Sequence, residues 1–257
     1  MDNTIFPYIN NLESSNWKWL PFLKLTLEKL SLHDTKDIYL PSDFKTKKSS
    51  RGSKNNRQDV NLYTWACKSE KISLCRASCI DSGPQLSVFN LVIIPSSNFN
   101  IPLFGADLVS LNSGYLIAID LQPSIEFNKQ FSDFYINKLQ LLNNSWKDYL
   151  PEIPPMPEEV KKYFSPFMLW SKLPLNKESD LIINDVIFNA YIHYINIFLE
   201  ILNSSNKVEK ELAILLGDGQ YNYLSFRAEK DPARTMLKTF YGKEWTEEYI
   251  NRILFPR

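Results

Sequence analysis

Leu103-Phe104-Gly105-Ala106-Asp107-Leu108-Val109-Ser110-Leu111-Asn112-Ser113-Gly114-Tyr115-Leu116-Ile117-Ala118-Ile119-Asp120-Leu121-Gln122 is the stretch that decides the fold. On both sides of Asn112-Ser113-Gly114 the pattern has period two, which is the signature of strands. Leu103, Gly105, Asp107 and Val109 face one way; Phe104, Ala106 and Leu108 face the other. The connection is too short for a crossover helix, so the two strands form an antiparallel hairpin. If a three-residue turn pairs Leu111 with Tyr115, Asp107 lies across from Ile119 and Asp120 points to the opposite face.

The same period extends upstream through Leu62–Lys68, Ile72–Ile80 and Leu86–Ile94. Turn residues separate these segments: Ser69-Glu70, Asp81-Ser82-Gly83-Pro84 and Pro95-Ser96-Ser97-Asn98. Successive short connections predict an antiparallel meander. Before it, Trp17, Leu20, Leu23, Leu27 and Leu30 mark an amphipathic helix over Ser15–His33, interrupted near Pro21. A polar segment of about 25 residues follows and is read as an exposed, mobile loop. Beyond Pro123 the spacing predicts helices over Phe131–Tyr149, Glu158–Phe164, Leu181–Leu202, Glu209–Phe226, Pro232–Tyr241 and Thr246–Phe255. Asp231 is suited to cap the fifth, with Pro232 at its first position and Gly242 at its end. One sheet with helices before and after it is an α+β chain, a three-layer α/β/α sandwich forming one domain over residues 1–257.

Composition narrows the chemistry. The chain has 257 residues, 44% hydrophobic and 14% aromatic, which is globular rather than disordered. Lys plus Arg equals Asp plus Glu at 29 each, so no charge excess points to nucleic acid. The longest basic run, Lys45 to Lys54, reads as a solvated loop. Three cysteines without a Cys-x-x-Cys spacing argue against a disulfide framework and a zinc or iron–sulfur site, and fit a reducing compartment. Met1-Asp2-Asn3-Thr4 lacks the features of a signal peptide, and no apolar run approaches the roughly 18 residues needed to span a bilayer. A cytoplasmic protein with no membrane partner is the expectation. No Gly-x-Gly-x-x-Gly follows a strand, which removes the usual nucleotide site. His33 and His193 are not at metal spacing, and His193, within Ala190–Ile195, reads as a packed core histidine.

Isolated carboxyl groups are then the candidates for proton chemistry. Asp107 interrupts an apolar strand beside Gly105, whose missing side chain leaves room for a ligand. An aspartate walled by Gly, Val and Ile is desolvated, which raises its pKa and suits it to donate a proton. Facing water on a half-covered sheet is the alternative. Asn90 is the other polar residue within an apolar strand; it shares Asp107's face if the loop from Pro95 to Pro102 sets a suitable register. Asp231, as a helix cap, accepts backbone N–H groups and feels the helix dipole, both of which lower its pKa. Trp65, Phe89, Phe104, Phe164, Phe167 and Trp170 supply an aromatic core or a flat apolar pocket.

Phe104-Gly105-Ala106-Asp107-Leu108-Val109 followed by Leu116-Ile117-Ala118-Ile119-Asp120-Leu121-Gln122-Pro123 resembles the ferredoxin-dependent bilin reductases. So do Phe164-Ser165-Pro166-Phe167-Met168-Leu169-Trp170 and the run from Arg227 through Asp231-Pro232-Ala233-Arg234 to Tyr249. The resemblance spans Trp17 to Phe255 and is nearest to the phycoerythrobilin-forming branch. It implies an α/β/α sandwich with a central antiparallel sheet and a linear tetrapyrrole bound between the sheet and the C-terminal helices. It also implies single electrons from reduced ferredoxin, with no metal or organic cofactor bound. Asp107 then becomes the proton-donating aspartate on the sheet, and Asp231 a second carboxyl on the helical side. Arg227, Arg234 and Lys238 become candidates for the bilin propionates, and Asn90 a substrate-binding residue. Phycocyanobilin-forming relatives carry Glu and His where this chain has Ser78 and Asn90, so their protonation route is not available here. The implied reaction is two-electron reduction of the A-ring diene of 15,16-dihydrobiliverdin to phycoerythrobilin through a bilin radical. A preceding bilin reductase would hand over the substrate. A sister enzyme acting on biliverdin, by 15,16 reduction or by four electrons, and a non-catalytic bilin carrier are the competing readings. Ferredoxin docking implies a basic patch near the pocket mouth.

Overall fold

Gly114 sets the register of the central hairpin. It adopts φ +124°, and a Cβ there would lie 2.4 Å from the Leu173 carbonyl oxygen. The chain therefore reverses over Asn112-Ser113 alone, and Leu111 pairs with Gly114 instead of Tyr115. The one-residue difference places Asp107 opposite Ala118 and Asp120 opposite Gly105. Because side chains alternate, it also turns Asp120 to the same face as Asp107. The expected separation of the two aspartates is thus overturned.

The computed structural model describes residues 6–53, 56–151 and 158–257. The N-terminal tetrapeptide and Lys54 of the basic run lie outside them. The sheet has eight strands: β1 Lys36–Asp37, β2 Thr46–Arg51, β3 Gln58–Lys68, β4 Ile72–Asp81, β5 Leu86–Pro95, β6 Leu103–Leu111, β7 Gly114–Gln122 and β8 Leu169–Leu173. All pairings are antiparallel, in the order β1-β3-β4-β5-β6-β7-β8, with β2 also paired to β3. β3 to β7 are the meander read from the sequence. β2 replaces part of the expected mobile loop. Its sequence, Thr-Lys-Lys-Ser-Ser-Arg, carries no apolar alternation, because an edge strand can be held by backbone hydrogen bonds to one neighbour. β8 falls inside the Phe164–Trp170 motif and continues to Leu173.

Each face of the sheet buries its own core. One face presents Trp65, Ala77, Phe89, Leu91, Phe104, Leu108, Ile117 and Ile119. It is covered by helices Ile9–Ser14, Leu20–Leu30, Asp133–Trp146 and the continuous helical stretch Lys177–Ser204. Pro21 sits in the first turn of its helix, where a missing N–H costs nothing, so it starts that helix instead of interrupting it. Lys177–Ser204 is long and apolar enough by length and composition to cross a membrane, contrary to the expectation that no apolar run approaches that length. Here Tyr191, Tyr194, Ile195 and Phe198 are fully buried in the core. His193 points outward and is exposed, contrary to the expected core histidine.

The other face presents Leu62, Ile80, Val88 and Val92 to Tyr223, Leu224, Leu237, Tyr249 and Ile250. These come from helices Lys210–Lys230, Arg234–Tyr241 and Lys243–Tyr249, the last continued by a wider turn over Ile250–Leu254. Gly242, at φ +87°, ends the second of these helices. The chain is an α+β protein: a central antiparallel sheet between two helical layers.

Candidate active site

The sheet face toward the C-terminal helices carries one largely polar row and beside it one that holds two charged residues. Thr64, Ser78, Asn90, Asp107 and Ala118 are successive cross-strand partners from β3 to β7. One register step away run Ala66, Arg76, Val92, Gly105 and Asp120. Asn90 and Asp107 are therefore directly opposed on neighbouring strands, which puts them on one face.

Above these rows lies a cleft of two lobes. One, about 280 Å³, is lined by Arg76, Asp120, Phe164, Met168, Trp170 and Arg227 among others. The second, about 480 Å³, is lined by Ser78, Val88, Asp231, Met236, Phe240 and Tyr249 among others. Asn90, Asp107, Leu116, Pro232 and Phe255 line both and form the junction. Taken together the two lobes suit an organic ligand, since small-molecule sites typically enclose roughly 300–1,000 Å³. Of the candidate aromatics, Phe164 and Trp170 reach the cleft, whereas Trp65, Phe89 and Phe104 belong to the opposite core.

Asp107 is half-buried at this junction. Ile119, its expected apolar neighbour, faces the other core, and the space beside Gly105 is occupied by the Gln122 amide, 2.7 Å from where a Cβ would sit. The walled-in aspartate of the sequence reading is in fact Asp120. Its carboxyl accepts the Ser165 N–H at 2.8 Å and the Ser165 hydroxyl at 2.5 Å. Burial nonetheless pushes its pKa up to about 7. The signal was present in the sequence as a second aspartate in a strand; only the register hid it.

Asp231 enters from the helical side. It follows helix Lys210–Lys230, and its Oδ1 accepts the Ala233 N–H at 2.9 Å, with the next helix starting at Arg234 rather than Pro232. Capping was expected to lower its pKa. Instead burial raises it, outweighing the Ala233 bond and the Arg227 charge, with the Asp107 charge adding to the rise. Asp107 and Asp231 thus bring carboxyl groups to one lobe from opposite walls.

The arginines divide. Arg227 lines the first lobe and lies over the Phe255 ring at 5.1 Å. Burial opposes its charge, but Tyr223, Asp107 and Asp231 carry its pKa above the usual value. Arg234 is held by Glu247 and the Ala228 carbonyl, and lines neither lobe. Lys238 also bonds Glu247, at 2.9 Å, and the two cations bring that carboxyl's pKa down to about 2. Both expected propionate partners are therefore already paired. Arg76, fully buried at the floor of the first lobe, was missed because a lone arginine in Ser73-Leu74-Cys75-Arg76-Ala77 looks like an exposed strand residue. Tyr249 was missed too: its hydroxyl meets Ser78 and Thr64, each at 2.7 Å.

Comparison with known proteins gives a consistent picture. Residues 24–256 match the family model described as ferredoxin-dependent bilin reductase. The chain is 41% identical over 247 residues to phycoerythrobilin:ferredoxin oxidoreductase of Prochlorococcus marinus (strain MIT 9211), covering 96% of both proteins. It is 39% identical over 255 residues to the protein of the same name from Synechococcus sp. (strain WH8020), covering 99% of both. The crystal structure of phytochromobilin synthase from tomato in complex with biliverdin shares the fold. Its TM-score is 0.75 at 23% identity, with 92% of this chain and 82% of that one covered.

Proposed function

The chain belongs to the ferredoxin-dependent bilin reductase family, and on that premise we propose that it converts 15,16-dihydrobiliverdin to phycoerythrobilin. Bilin reduction with ferredoxin as electron donor is the family's activity. The choice of substrate is supported by near full-length relatives that carry the phycoerythrobilin name. The observation that carries the reading is the pair Asp107 and Asp231, facing each other across one lobe of an apolar cleft.

Reduction of the A-ring diene takes up two electrons and two protons. Reduced ferredoxin delivers the electrons one at a time, so a bilin radical separates the two steps. Each electron adds negative charge to the pigment, and a carboxylic acid within reach neutralises it by giving a proton. Asp231 is the carboxyl of the pair whose burial favours the neutral, proton-bearing form. Asp107, half-buried at the junction of the lobes, is placed to give the other and to be reprotonated from solvent. Arg227, of the three candidates the one that lines the cleft, is suited to a substrate propionate.

The test is reaction of the protein with reduced ferredoxin and each bilin in turn, followed by absorption spectroscopy of the product. Consumption of 15,16-dihydrobiliverdin with appearance of phycoerythrobilin is expected. Turnover of biliverdin itself would assign the protein to a sister activity, and binding without turnover would make it a carrier.

Electron transfer requires ferredoxin to dock near the cleft. Lys230 lines the first lobe, and Lys162 and Lys172 are exposed on neighbouring segments. A basic rim of this kind steers an acidic partner through forces that salt screens over about 8–10 Å. Turnover at subsaturating ferredoxin is expected to fall steeply with added salt; a rate indifferent to ionic strength would exclude this docking mode.

A further inference from the structure

Arg76 is 1% exposed. A buried guanidinium is expensive unless its donors are matched. Its hydrogen bonds go to neutral oxygens: Nη1 donates to the Asn90 carbonyl at 2.9 Å and to Asn90 Oδ1 at 2.5 Å, and Nη2 donates to the Leu254 carbonyl at 3.3 Å. Nε has no partner among the described residues. Packing a large cation in this way, beneath a ligand cleft, calls for a purpose beyond stability.

The chemistry of the pair supplies one. Arginine is a donor only, with no acceptor atom. The Asn90 amide must therefore turn its oxygen toward Arg76, and its two N–H donors are left for the cleft. Asn90 is the direct cross-strand partner of Asp107, and such pairs have Cβ atoms about 4.5–5.5 Å apart. Without Arg76 the amide could flip and present its oxygen to a carboxyl group, a repulsive arrangement once that group has lost its proton.

We propose that Arg76 is a positioning residue, locking the Asn90 amide so that its N–H groups serve the Asp107 carboxyl during bilin reduction. The assignment rests on the functional reading given above and extends it to a residue that need not touch the pigment. Arg76 also places a positive charge near Asp107 and Asp231, with which it interacts electrostatically. That charge favours the carboxylates left behind after proton transfer.

A double-mutant cycle tests the coupling. Arg76→Met and Asn90→Leu should each lower kcat by about 10- to 100-fold, the range for losing a hydrogen bond to a charged group. KM should change little in Arg76→Met. The double variant should be no worse than about threefold below the weaker single variant, because both changes break one device. Arg76→Lys, which keeps the charge and a donor, should recover most of the rate. Losses that multiply, or an Arg76→Met variant altered only in KM or thermal stability, would overturn the proposal. Wild-type turnover is scored first, and its absence would count against the functional reading alone. The bound-bilin absorption spectra would then decide: Arg76→Met and Asn90→Leu should shift them identically, and different shifts would overturn the assignment.

Discussion

Asp107→Asn is expected to cut turnover of the bilin by roughly 10²- to 10⁴-fold, the range for loss of a positioned general acid. Binding should persist, because the amide has nearly the same volume and the cleft walls are untouched. The variant should still take an electron from ferredoxin, so a one-electron reduced bilin should accumulate where the native protein moves on to product. Asparagine can donate a hydrogen bond but cannot release a proton, so the two effects separate. Asp107 lines both lobes, and no other group on its strand can substitute. Asp231→Asn should also slow turnover. Unchanged rates in Asp107→Asn, with the native product formed, would remove Asp107 from the chemistry.

The second large effect concerns stability. Asp120 is fully buried and its pKa in the folded protein is about 7, against an unfolded value of about 3.9. Between those values the folded state binds the proton more tightly than the unfolded chain does. The contribution of Asp120 to stability is therefore greatest below pH 4, falls as pH rises toward 7, and levels off above it. A shift of this size corresponds to something on the order of 4 kcal/mol at about 1.4 kcal/mol per unit. Asp120→Asn mimics the neutral acid, keeping an acceptor for the Ser165 N–H. Denaturant titrations at pH 5 and pH 8 should show the native protein weaker at pH 8, and the Asn variant with most of that difference removed. Equal slopes in both proteins would show that Asp120 does not carry the buried charge.

The sequence made the meander legible because five strands alternate cleanly and are punctuated by turns. It also made a C-terminal helix legible through Gly242, which ends Arg234–Tyr241. Register was not legible. Whether Leu111 pairs with Gly114 or Tyr115 depends on the backbone conformation that Gly114 alone can adopt, and on Leu173 of a strand far along the chain. That one residue of offset misdirected Asp120. β2 was hidden because polar edge strands are held by backbone pairing, which has no side-chain pattern. Arg234 and Arg227 look alike in sequence; only the fold, by bringing Glu247 to Arg234, distinguishes the paired guanidinium from the one at the cleft. Asp231 was read as the cap of a helix starting at Pro232, but the helix starts at Arg234 with Ala233 at the cap position; Asp231 instead accepts the Ala233 N–H, and burial outweighs that bond.

The most direct measurement is a crystal structure of the protein with its bilin bound. The account predicts the tetrapyrrole between the sheet and helices Lys210–Lys230 and Arg234–Tyr241, with Asp107 and Asp231 each within hydrogen-bonding reach of it. A pigment seated elsewhere, or one that leaves both carboxyl groups facing solvent, would contradict it.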